Sequence, residues 1–273
     1  MKLPPAKISS GHAFTRLDWC CTVGMTVLLL TLGIRNFSGE AGRIFRCSHH
    51  LSRLGQAMQQ YAAENDGDLP PASSSRPPAT WDACLSPYLR PDFADANSAY
   101  GKRALRDAVE PMFLCPSDRL VRGRPRTYIM SGHDMQPENW PPSPFNTTGV
   151  GLAWNQSAVD KLYGSATWEA AKTNRQLLPP VKLAWLPEPA NTLFLTELVH
   201  PNNVMGNVRL ATLRGPHQQV DLFQGDRTRF HQGRFNYLMV DGHVECLAPD
   251  ATGNAGAWDA DQPADIWTIK AGD

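Results

Sequence analysis

The sequence predicts an α+β chain: a long amino-terminal helical spine, one half apolar and one half amphipathic, ahead of a small sheet connected by long irregular loops. Three observations predict it. An uncharged run spans Trp19 to Ile34, a second segment repeats apolar residues at helical spacing from Leu51 to Tyr61, and strand-like runs with turn chemistry gather toward the carboxyl end. The 273 residues are 42% hydrophobic and include 21 Gly and 23 Pro, enough for a core with many irregular connections in one large or two small domains. Lys plus Arg equals Asp plus Glu at 26 each. With no net positive field to hold phosphates, nucleic acid is excluded as the expected partner.

Residues 1–13 form a short basic leader carrying Lys2 and Lys7. The uncharged run WCCTVGMTVLLLTLGI follows, bounded by Asp18 and Arg35. As a helix it rises about 24 Å, against roughly 30 Å for the hydrocarbon core of a bilayer. Extending it backward takes Arg16 and Asp18 into lipid, where an acid is a functional residue by default. A retained membrane helix is the expected reading. A cleaved secretory signal would need an A-x-A site after the run, where RNFSGEAGR stands instead; a buried helix of a soluble core is the third reading.

The next segment, SHHLSRLGQAMQQYAAENDGDLPP, sets Leu51, Leu54, Met58 and Tyr61 on one helical stripe and stops at Asn65-Asp66-Gly67 before Pro70 and Pro71. The spine therefore covers 14–65 and the globular part 66–273. Within the latter, 70–80 reads as a polar, Pro-rich loop, 81–89 and 98–110 as short helices, and about 132–180 as an irregular insertion with a possible helix from Ser165 to Asn174. Residues 181–199 supply strands. Arg234 to Val240 reads as a strand, Asp241-Gly242 as a two-residue hairpin turn, and His243 to Leu247 as the returning strand.

The six cysteines, at 20, 21, 47, 84, 115 and 246, contain no C-x-x-C spacing, which sets structural zinc aside. The last four could form up to two disulfides or remain buried thiols. His231, Asp241, His243 and Glu245 are residue types that bind metals, yet an extended strand puts His231 and Asp241 up to roughly 33 Å apart. The expected roles are structural: Asp241-Gly242 fixes the turn, and His231 bonds backbone where the strand begins. Asp259, Asp261 and Asp265, with Asp250, offer oxygen ligands that calcium prefers, but the spacing matches no EF-hand loop, and a solvated acidic loop is expected. Eight Trp could fill a core or form a binding platform for sugars; core packing is expected. No G-x-S-x-G, H-E-x-x-H, Walker or dinucleotide signature occurs, so no enzymatic activity is expected.

Several of these segments resemble one family. HAFTRLDW followed by the apolar run is similar to a type IV prepilin amino terminus, with Phe14, Thr15 and Leu17 matching, Asp18 where that family has Glu, and Ala13 in place of Gly. CSHHLSRLGQAMQQYAAENDGDLPP and FLCPSDR resemble stretches of bacterial pseudopilin-like proteins. HQGRFNYLMVDGHVE, with His231 and Asp241-Gly242, is similar to the H-X9-DG motif of the prepilin-type processing-associated family of Verrucomicrobia and Planctomycetes. The resemblance implies a helix whose second half packs on an antiparallel sheet. It implies cleavage between Ala13 and Phe14 by a prepilin peptidase, with methylation of Phe14, and a role for Asp18 in pairing with the amino terminus of a neighbouring subunit. It further implies a non-enzymatic, membrane-anchored pseudopilin of a type IV pilus or type II secretion-like filament serving protein transport, with other pilin-like subunits and the lipid bilayer as partners. The corresponding location is the inner (cytoplasmic) membrane, single-pass, with the carboxyl-terminal domain extracytoplasmic. Major pseudopilins bind calcium near their carboxyl end, which keeps the three aspartates as weak candidates. The alternative is a monomeric surface-anchored, polysaccharide-binding protein with a pilin-derived fold.

Overall fold

The computed structural model describes residues 19, 21–26, 39–75, 78–89, 107–132, 149–154, 166, 181–213, 215–253 and 266–267. The chain divides into two units, Met1–Gly42 and Arg43–Asp273. In the first, residues 21–26 are helical, Trp19 and Met25 are largely exposed, and the hydroxyls of Thr22 and Thr26 donate to the carbonyls of Trp19 and Thr22. Ala13, Phe14 and Asp18, and with them the leader and the cleavage position, lie outside the described residues.

The expectation of a long amino-terminal spine is corrected here. The long helix is α1, Glu40–Glu64, and Gly39 before it is a bend, so the described chain does not run as one helix through this point. Gly favours such breaks because it loses more freedom than other residues when fixed in a helix. Among the described residues no helix is long and apolar enough to cross a membrane. The single-pass inner-membrane placement is therefore corrected as well. The uncharged run was short of a bilayer from the start, and α1 is amphipathic, with Arg46 and His49 exposed on the side opposite its buried stripe.

That stripe is Cys47, Leu51, Leu54, Met58 and Ala62, all at most 1% exposed, with Ala57 beside it. Leu51, Leu54 and Met58 belong to it as expected, whereas Tyr61 is half-buried on the flank, edge to face with Tyr88. Each fully buried Leu or Met contributes roughly 1.5–3 kcal/mol, so this face alone fixes α1 in place. The helix ends as the sequence indicates: Asn65 and Gly67 donate backbone N–H groups to Ala62 O, and Gly67 sits at φ +80°, a left-handed position that costs glycine nothing.

α1 lies on a five-stranded sheet built from β3 (Tyr128–Ser131), β5 (Leu193–Glu197), β6 (Thr212–Leu213), β7 (Phe235–Met239) and β8 (Val244–Leu247), in the order β6-β3-β5-β7-β8. Only β3 and β6 pair parallel; the other neighbours are antiparallel. Gly55 allows the close approach, since a Cβ there would stand 2.9 Å from Leu238 Cδ1 and 3.3 Å from the Gly242 backbone. Gln59 Nε2 donates to Val240 O at 2.6 Å and Tyr128 Oη to Cys47 O at 3.3 Å. Helix α3, Pro216–Leu222, meets the sheet through Gln219, which donates to Thr196 Oγ1 and Glu197 O and accepts from Tyr237 Oη. The central strands β3, β5 and β7 are buried along their whole lengths.

The hairpin β7–β8 forms as expected, but its loop has three residues, Val240–Gly242, closed by Met239 N to His243 O and Gly242 N to Met239 O. Gly242 at φ +100° takes the left-handed position that such a loop requires. Helix α2, Trp81–Leu89, matches the expected helix. The segment 70–80 is not simply a loop: β1 (Ser73–Ser75) and β2 (Pro78–Thr80) pair antiparallel, and β1 pairs parallel with β4 (Ala153–Trp154). Polar composition concealed these strands because Ser73, Ser74 and Thr80 are themselves buried. Most of 132–180 lies outside the described residues; of the possible helix from Ser165 to Asn174, only Ala166 is described, and it is helical.

Candidate functional site: a buried histidine, glutamate and disulfide

Four elements converge beneath α1. Cys47 comes from the second turn of α1, Cys115 from the loop after Phe113, Glu197 from the end of β5, and His231 from the turn before β7. Cys47 and Cys115 form a disulfide across a sequence separation of 68, with Cα atoms 5.1 Å apart. This settles the cysteine alternatives in part: Cys21, Cys84 and Cys246 remain thiols, and burial beside Glu197 pushes the Cys246 thiol up from its ordinary pKa.

The His231 ring is wholly buried. Its Nε2 lies 3.1 Å from Glu197 Oε1 and 3.2 Å from Cys115 Sγ, and its Nδ1 lies 3.4 Å from Ser117 Oγ. The ring is packed against Phe230 with centroids 4.3 Å apart. The second oxygen of Glu197 accepts from the Asn236 backbone N–H at 2.8 Å, and Asn236 Nδ2 stands 3.2–3.3 Å from both carboxylate oxygens. Asn236 Oδ1 is buried without a hydrogen-bond partner. The Cys115 backbone N–H donates to Thr127 Oγ1, and the Ser117 N–H points at Cys115 Sγ from 3.4 Å.

The backbone that delivers His231 is unusual. His231 and Gln232 have φ of 49° and 60°, and Gly233 follows at 82°. Two successive non-glycine residues in the left-handed region cost of order 1–3 kcal/mol each, so the surrounding contacts must hold this turn in place. Where the sequence pointed to a backbone bond for His231, its ring meets the side chains of Glu197, Cys115 and Ser117. His231 and Asp241 sit at opposite ends of β7, as expected. Asp241 and Gly242 form the turn, and Asp241 Oδ1 also accepts from His243 N and contacts His243 Nδ1 at 2.7 Å, with Glu245 3.5 Å from Nε2. This second cluster is open to solvent, each member at least 38% exposed.

Asp259, Asp261 and Asp265 lie outside the described residues. Trp81 and Trp267 are core residues; Trp185 is half-buried. Sequence reasoning missed Glu197, Ser117 and Asn236. Glu197 had a signal, being a lone acid inside the apolar run LFLTELV, where a buried charge demands a partner.

Chemically, the cluster combines two sulfurs, an imidazole and a carboxylate whose ligand atoms all lie within 4.8 Å of one another, sealed from solvent. Its four groups are of the kinds that bind a transition-metal cation when the sulfurs are unpaired. No protein-family model, no curated protein and no solved structure matches the chain.

Proposed function

We propose that the chain is a pilin-like, non-enzymatic structural subunit that assembles with other pilin-like chains into a type IV pilus or type II secretion-like filament after a prepilin peptidase removes its leader. The observation that carries this reading is the docking of the amphipathic helix α1 on an antiparallel sheet edge formed by the H-X9-DG hairpin, with Gly55 against Gly242. The early turns of α1 support it, since Phe45 is 62% exposed and gives an adjoining helix an apolar side chain to pack against. A structural role also accords with the full burial of His231 and Glu197.

The test is intact mass and amino-terminal sequencing of the full-length protein isolated from its own cells, combined with sedimentation of the sheared surface fraction. A chain beginning at Phe14 in a filamentous fraction is expected. A chain that begins at Met1 and sediments only as a monomer overturns the proposal.

A further inference from the structure

The disulfide occupies a position that two thiolates could use differently. Cys47 and Cys115 present Sγ atoms, His231 presents Nε2 and Glu197 presents Oε1 to one point, and all four residues are fully buried. Two thiolates, one imidazole and one carboxylate make a four-ligand set for tetrahedral zinc, with metal–sulfur distances of about 2.3 Å and metal–nitrogen or metal–oxygen distances of about 2.0–2.2 Å. Those lengths require ligand atoms roughly 3.3–3.8 Å apart. His231 Nε2 already stands 3.1 Å from Glu197 Oε1 and 3.2 Å from Cys115 Sγ, so opening the sulfur–sulfur bond is the main movement needed.

The outer contacts are also those of a metal site. Ligating histidines hold their other ring nitrogen in a hydrogen bond that fixes orientation, and His231 Nδ1 faces Ser117 Oγ. A hydroxyl accepts as readily as it donates, so Ser117 accommodates the tautomer in which Nε2 is free to bind a cation. The far oxygen of Glu197 is tied to Asn236 N–H, and Oε1, which Asn236 Nδ2 reaches at 3.3 Å, faces His231 Nε2 at the centre. The Ser117 N–H toward Cys115 Sγ would spread thiolate charge. The left-handed turn at His231 and Gln232 shows that the fold holds the ring in this position against local backbone preference.

We propose that the dithiol form of this chain binds one zinc ion through Cys47, Cys115, Glu197 and His231, and that the disulfide and the metal are alternative closures of the same buried centre. In the exchange, a small dithiol gives two electrons and two protons to the Cys47–Cys115 bond and itself becomes a disulfide. Zinc then displaces the two thiol protons to solvent. In the reverse direction a small disulfide takes two electrons from the two thiolates and two protons from solvent to become a dithiol, the Cys47–Cys115 bond forms, and the zinc ion leaves. The proposal stands independently of filament assembly.

The experiment uses the full chain in three states: oxidised, reduced with a phosphine, and reduced then given one equivalent of Zn2+ or, as a spectroscopic probe, Co2+. After desalting, the reduced chain is expected to retain one Zn2+ and the oxidised chain none. Co2+ should give the intense visible bands of a tetrahedral site and a thiolate-to-cobalt charge-transfer band. His231→Gln and Glu197→Gln should each weaken retention at least tenfold, whereas Cys84→Ser and Cys246→Ser should leave it unchanged. Near-ultraviolet circular dichroism follows the fold: if reduction loosens it, Zn2+ must restore it. The proposal is overturned by a reduced chain that retains no zinc, by zinc that fails to refold a loosened chain, or by retention that survives both His231→Gln and Glu197→Gln.

Discussion

Two buried polar centres flank the β3 end of the sheet, and they are built on different logic. One gathers Arg126, Asp82 and Asn203: Arg126 Nη1 donates to Asp82 Oδ1 at 2.6 Å, Nε to Asn203 Oδ1 at 2.8 Å and Nη2 to Leu210 O at 2.8 Å, with the guanidinium 5.3 Å from the Trp81 ring centroid. Asp82 spends its other oxygen on Gly206 N–H, and Asn203 Nδ2 donates to the Thr127 and Leu198 carbonyls. The contacts there tie α2, through Asp82, to the loops that carry Arg126, Asn203 and Gly206, and the backbone carries no left-handed residue among Asp82, Arg126 and Asn203. The other centre, around His231, is held by strained backbone, contains a covalent bond that can be broken, and leaves Asn236 Oδ1 unpaired. The first is a closed electrostatic clasp. The second holds groups whose chemistry can change.

The clasp should give the largest effect when broken. Asp82→Ala removes the only carboxylate bonded to Arg126 among the described residues and leaves a fully buried guanidinium, whose burial already lowers its pKa against the opposing pull of Asp82. Stranding such a charge costs about 3–5 kcal/mol, and the denaturant midpoint should fall accordingly. The double change Asp82→Leu with Arg126→Met should recover most of that loss, because an apolar pair needs no partner. A double variant as unstable as the single one would mean that the clasp does more than hold loops together.

The His231 centre breaks at its covalent bond. Joining residues 68 apart constrains the unfolded chain by about 4 kcal/mol on loop-entropy grounds. Cys47→Ala with Cys115→Ala, studied with a chelator present, should therefore lower stability by up to that amount. Reduction of the natural chain under the same conditions should match it. The comparison sharpens when the two lesions are combined, because Thr127 serves both centres: its Oγ1 accepts from Cys115 N–H and its carbonyl from Asn203 Nδ2. Lesions that share a partner depart from additivity by about 0.5–3 kcal/mol, and losses that simply add in the Asp82→Ala background would show that Thr127 transmits nothing between the centres.

How legible each centre was follows from the kind of signal it leaves. α1 announced itself through Leu51, Leu54 and Met58, and the β7–β8 hairpin through Asp241-Gly242, because periodicity and turn chemistry are local. The spine did not extend upstream as expected: an uncharged run was read together with α1, and the bend at Gly39 separates them. His231 was legible as a residue but not in its role. Its partners lie 34 and 116 positions away in the chain, and a single sequence holds no periodicity that joins Glu197, Cys115 and His231. The same holds for Arg126, which is wholly buried although arginine usually stays at the surface.

The smallest expected effect lies between the two kinds of centre, at His50. It stands one turn beyond Cys47 on α1, and its Nδ1–H donates to Leu114 O, next to Cys115, at 3.2 Å. Burial lowers its pKa from 6.5, with His49 and Arg46 on the same helix acting in the same direction and the Leu114 bond opposing them. Above about pH 7 the ring is neutral both folded and unfolded, so this residue adds no pH dependence. As the pH falls below 6.5 the unfolded chain takes up the proton first, and the folded state loses stability until the pH passes the lowered folded value. Denaturation midpoints measured from pH 7.5 to 5 should show this decline, and His50→Gln should flatten it while keeping a donor for Leu114 O. An unchanged slope in that variant would move the acid sensitivity elsewhere, and the first place to look would be the buried contact between His231 and Glu197 in the second centre.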